Sequence, residues 1–116
     1  MTRDDDYTRD LLREAEASDD VFIYAPLLPG SDPEDQKRYA HAKWLSDAGL
    51  FEHVNKHAFR MTDQGHDYLT AIRDDTNWQR TKDAAASVGG VALGVMKDIA
   101  VAYFKQTVSK HTGLLL

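Results

Sequence analysis

The 116-residue chain contains no cysteine. That absence removes disulfides, cysteine-based zinc sites and thiol nucleophiles together. It fits a reducing compartment, so a cytoplasmic location is expected. Long hydrophobic runs are missing too. The most apolar window, residues 84–96, is followed by Lys97 and Asp98, and a run that short reads as a core or interface helix rather than a membrane span. No membrane partner is expected. The first ten residues hold four aspartates and no apolar stretch, so no secretory signal is read there.

A basic excess is also absent. The net charge is −5, and it is unevenly spread. Residues 1–20 hold three arginines against eight acids, while residues 82–116 hold four bases against two acids. Nucleic-acid binders usually carry a basic footprint; here only a local patch could supply one. There is no internal repeat and no low-complexity tract. The length suits one domain able to bury roughly two-thirds of its unfolded surface.

What is present reads mainly as helix. Tyr7, Leu11, Leu12 and Ala15 recur at helical spacing over residues 4–17, with acids in the first turn where the helix dipole favours them. Val21-Phe22-Ile23-Tyr24 is β-branched and aromatic and reads as a strand. Pro26, Pro29 and Gly30 then impose a loop. Ser31 or Asp32 can cap a second helix with Pro33 in its first turn, running to Ala48 with Gly49 as a left-handed stop. Its apolar side is His41, Trp44, Leu45 and Ala48; its outer side is Gln36, Tyr39, Ala42, Lys43 and Ser46. Residues 50–54 and 58–61 are short strands joined by a tight hairpin at Asn55-Lys56. Thr62 caps the next helix, in which Gly65 suggests the close approach of a neighbour. A break at Asp74-Asp75-Thr76 leads to helices over about 77–88 and 91–109, divided by Gly89-Gly90.

The order predicts a mostly helical α+β fold with a winged-helix-like core: helix, short strand, helix, β-hairpin wing, helix, then two further helices. The expected division is a core over residues 1–75 and a helical extension over 76–116 that packs on it and dimerises. Little room remains for the usual second helix of such a core, since only residues 25–30 could hold it. Two landmarks carry the reading. Trp44-Leu45-Ser46-Asp47-Ala48-Gly49-Leu50 looks like the end of a recognition helix, and Arg60-Met61-Thr62-Asp63-Gln64-Gly65 looks like the exit from a wing. The stretch from Met61 through Gly65-His66-Asp67-Tyr68-Leu69 and Arg73-Asp74-Asp75 to Trp78, Thr81 and Lys82 goes further. With the acidic start at Arg3–Asp6, Gly89-Gly90 and Gly113-Leu114, it resembles domain-of-unknown-function family 2513, small winged-helix-like proteins frequent in phages and prophages. The wing region is shorter here. The resemblance implies a fold and a phage or prophage setting; it implies no reaction.

Each chemical constellation has a plainer alternative. His53 and His57 are four apart but sit in a hairpin without further ligands, so solvent-exposed wing histidines are expected rather than a metal pair. His41, on an apolar helix side, is expected to be buried and hydrogen-bonded to backbone. His66 between Asp63 and Asp67 reads as a polar cluster, for want of a nucleophile. Arg73-Asp74-Asp75 reads as a capping and salt-bridge cluster, and Trp78 as a core anchor. No cofactor, metal or catalytic residue is expected, and no enzyme.

Two surfaces remain. Gln36, Tyr39, Lys43 and Ser46 could reach a DNA major groove, with Lys37 and Arg38 on phosphates. Residues 32–48 nevertheless hold three bases against four acids. On the last helix, Val91, Leu93, Gly94, Val95, Met96, Ala100 and Phe104 make more apolar surface than one small domain needs, and a homodimer interface is expected there. The expected function is a regulator binding double-stranded DNA; the alternative is an acidic module binding a protein, such as a host or defence factor.

Overall fold

A computed structural model describes residues 1–116. The elements are α1 (Asp5–Ala17), β1 (Phe22–Tyr24), α2 (Pro33–Asp47), β2 (Phe51–His53), β3 (Ala58–Met61), α3 (Asp63–Ile72), α4 (Asp75–Ser87) and α5 (Leu93–Thr112). The fold is mostly helical α+β, in the order expected from the sequence. The chain divides into two compact units, Met1–His66 and Asp67–Leu116, so the division falls inside α3.

In the first unit the strands form an antiparallel sheet in the order β1-β3-β2. Ile23 faces Phe59 across one ladder and His53 faces Phe59 across the other. Leu11, Leu12, Ile23, Leu45, Phe51 and Phe59 are buried as its core. β1 is an outer strand, and side chains occupy part of its edge: the Tyr24 carbonyl accepts from Arg38 Nε at 2.8 Å and the Phe22 N–H donates to Asp20 at 3.3 Å. Such plugs discourage pairing with a stray strand. Residues 25–32 contain no helix.

Local chemistry explains the boundaries. Asp32 accepts from the Asp35 N–H at 2.8 Å and Pro33 opens α2, as the cap signal predicts. The hairpin departs from expectation. A two-residue loop at Asn55-Lys56 would need positive φ at both residues, and no residue other than glycine has it. The turn instead widens over residues 54–57. The Asn55 side chain closes it, accepting from the His57 and Ala58 N–H groups at 3.0 Å each.

The two sequence landmarks meet in space. Gly49, at φ +79°, ends α2. Thr62 Oγ1 donates to its carbonyl at 2.6 Å and itself accepts from the Gly65 N–H at 3.1 Å. A Cβ on Gly65 would lie 2.2 Å from the Leu50 carbonyl oxygen and 2.7 Å from Met61 Cγ. Only glycine fits, which is the close approach inferred from its place inside a helix.

In the second unit α4 and α5 pack together. Trp78, Ala85, Leu93, Met96 and Ala100 are buried. Asp74 caps α4, accepting from the Thr76 and Asn77 N–H groups. Polar ties lie beside the apolar centre. Thr107 Oγ1 donates to Asn77 Oδ1 at 3.4 Å, and the Arg80 guanidinium lies 4.1 Å from the Tyr103 ring centre.

Candidate binding surface

The acidic first helix lies against the helix nominated to read DNA. Asp4, Tyr7, Leu11 and Glu14 recur every three or four residues, so they share one face of α1 or its cap. Glu34, Lys37, Arg38 and His41 meet them from α2. The Asp4 N–H donates to His41 Nε2 at 2.9 Å, and His41 Nδ1 lies 2.7 Å from the Lys37 carbonyl. Since Nε2 accepts, Nδ1 must carry the proton and donate. His41 is fully buried, with its ring between Tyr7 and Trp44 at centroid distances of 4.7 and 4.9 Å. The buried, backbone-bonded histidine expected from sequence is therefore a tie between two helices.

Charge completes the seam. Lys37 Nζ lies 3.4 Å from Asp4 Oδ2 and 4.6 Å from the centre of the Tyr7 ring. Arg38 grips Glu14 with both terminal nitrogens, at 2.8 and 2.5 Å. Its hydrogen bonds hold the Glu14 carboxyl below the usual glutamate range, and the same contact raises the arginine. Tyr7 donates to Glu34 at 3.2 Å; burial first, and then the Glu34 carboxylate, push the phenol up to about 12.

This arrangement scatters the six residues nominated for DNA. Lys37 and Arg38 face α1. Tyr39 is half-buried, edge-on to His53 and Phe59 at 6.3 Å each, so it serves the sheet. Ser46 is half-buried, and Ala42, read as part of the outer side, is fully buried. Gln36 is exposed but donates to the Ser31 carbonyl at 3.0 Å, and Lys43 pairs with Asp47 at 3.3 Å. The α1–α2 seam escaped the sequence reading. The signal was the Asp4, Tyr7, Glu14 spacing, but it needed the partner face of α2 to give it meaning.

The two hairpin histidines differ from expectation. Both are half-buried, and the His53 ring stacks on Phe59 at 4.3 Å because the two residues are cross-strand partners. His53 Nε2 and His57 Nδ1 are shielded and without hydrogen-bond partners. No group of three or more histidine or carboxylate residues is placed to hold a metal ion. His66 is exposed.

A family model described as a hypothetical protein (DUF2513) matches residues 2–92. The chain belongs to the DUF2513 family. No curated protein and no solved structure matches it. The DUF2513 match covers α1 to α4 and stops one residue before α5.

On α5 the sequence reading needs correction. Leu93, Met96 and Ala100 were expected at a dimer interface, but they are buried within the chain. Val91, Gly94 and Phe104 are half-buried and Val95 is exposed. The nominated residues therefore do not form one outward surface. No helix is long and apolar enough to cross a membrane.

Proposed function

We propose that this DUF2513 chain is a non-enzymatic binding domain of winged-helix type, a cytoplasmic regulator of phage or prophage character, whose target is a protein surface rather than duplex DNA. The winged-helix reading is supported by the element order, by the β1-β3-β2 antiparallel sheet, and by the Thr62–Gly49 tie between the end of α2 and the start of α3. The choice of target rests on one observation: Lys37 and Arg38, the cations nominated for phosphate contact, are held by Asp4 and Glu14. Affinity for DNA rests largely on phosphate contacts. Releasing these cations would leave two carboxylates beside the backbone, with Asp32, Glu34 and Asp35 already at the leading end of α2. The same acidic surface suits a basic protein partner.

Fluorescence anisotropy with a random duplex at about 50 and 200 mM salt tests the choice. The native chain should show no binding at the lower salt. A variant carrying Asp4→Asn and Glu14→Gln, which frees both cations, should acquire weak binding that falls with salt. Steep salt-dependent binding by the native chain, weakened by Lys37→Ala, Arg38→Ala and Lys43→Ala, would overturn the proposal in favour of DNA.

A further inference from the structure

We propose that the chain pairs with a second copy of itself through the outward seam of α5, the two α5 helices lying antiparallel about a two-fold axis. The side of α5 bearing Leu93, Met96 and Ala100 is already buried within the chain. A different row is left over. Lys97, Val101, Phe104 and Val108 follow one another at spacings of four, three and four residues, the repeat that lets one helix seam mesh with another. All four are half-buried, and they line a groove of about 690 Å³.

The charges beside this row identify the occupant. Asp98 and Lys105 are exposed, lie seven residues apart along the same flank, and make no ion pair within the chain. Seven residues are about two helical turns, so both charges sit over one edge of the seam. A two-fold pairing is isologous: whatever residue i meets on the partner, that residue meets i in return. Setting Val101 against Phe104 of an antiparallel copy brings Asp98 of each chain beside Lys105 of the other, twice. A parallel two-fold copy would carry the two charged flanks to opposite sides of the seam, so neither attraction would form. The row therefore complements itself in one orientation. At the ends of the seam, Lys97 can lay its alkyl stem over Val108 while its ammonium group stays in water.

Sedimentation equilibrium of the full chain tests this. The native protein should be a dimer that dissociates on dilution. Asp98→Lys or Lys105→Glu alone should weaken the dimer by about 10-fold, since each replaces two attractions by two repulsions. The double variant, Asp98→Lys with Lys105→Glu, should return to within about 3-fold of the native value. Phe104→Asp should give a monomer. The reversals are at exposed positions, and circular dichroism melts would confirm that these variants are folded, so the result does not hang on Phe104 alone. A native monomer up to millimolar concentration, or a dimer indifferent to both single reversals, would overturn the proposal.

Discussion

In the unit Met1–His66, α1 and α2 meet through charge and hydrogen bonds: Asp4 with Lys37 and His41, Tyr7 with Glu34, Glu14 with Arg38. In the unit Asp67–Leu116, α4 and α5 carry a buried apolar centre, Trp78, Ala85, Leu93, Met96 and Ala100, with Arg80 over Tyr103 at its side. The difference teaches what each kind of contact does. Burying apolar area contributes most of the stability of a helix pair. Half-exposed ion pairs contribute little, because water screens them and holding long side chains costs entropy. What they do decide is which cations remain for a ligand.

That contrast can be broken experimentally. The largest effect should come from Trp78→Ala. It removes a side chain only 3% exposed and should cost about 4 kcal/mol, read by urea unfolding. Gly65→Ala should come next. An alanine would gain about 1 kcal/mol of helix propensity, but its Cβ would collide with the Leu50 carbonyl. A net loss of about 2 to 3 kcal/mol is expected, with a lowered Tm. An unchanged Tm would mean that β2 and α3 can separate freely.

His41→Ala should cost about 2 kcal/mol in the same assay, because it strands the Asp4 N–H and empties the space between Tyr7 and Trp44. The smallest effect should be Arg38→Ala. The side chains of Arg38 and Glu14 are 26% and 49% exposed, so screening limits the loss to under about 1 kcal/mol. The pH dependence of that loss has a definite sign. Arg38 lowers the folded-state value of Glu14, so the pair stabilises above the ordinary glutamate range and its contribution is lost as pH falls through the depressed value. The gap in stability between native chain and variant should therefore shrink between about pH 6 and about pH 3. A gap that grows on acidification would show that Glu14 is not its source.

Much of the fold was legible because its signals are local. Asp32-Pro33 at the start of α2, Gly49 at its end and Thr62 at the start of α3 act through their own or adjacent backbone, so their roles follow from residue type and spacing. Gly65 was legible as a close approach, though not what approached. The hairpin is wider than its sequence suggests, since Asn55-Lys56 does not adopt the positive φ that a two-residue loop demands. α4 starts slightly earlier than its sequence suggests, because Asp74, Asp75 and Thr76 are all competent caps and only the folded backbone selects Asp74.

The candidate surfaces were read less well, for a reason visible in α2 and α5. Periodicity shows that a helix has sides, but it does not say which neighbour each side meets. Lys37 and Arg38 looked like phosphate ligands until α1 was laid against them. Leu93, Met96 and Ala100 suggest a dimer interface by periodicity, yet they are buried in the folded chain. The sequence by itself determined the element order, the helix caps, the family resemblance and the acidic balance of the chain, because each depends on residues near one another in the chain or on composition. Only the tertiary structure decided which charges are paired and which apolar rows are covered. Those are properties of surfaces brought together from distant parts of the chain, and the free energy of a charge or an apolar side chain depends on what has displaced the water around it.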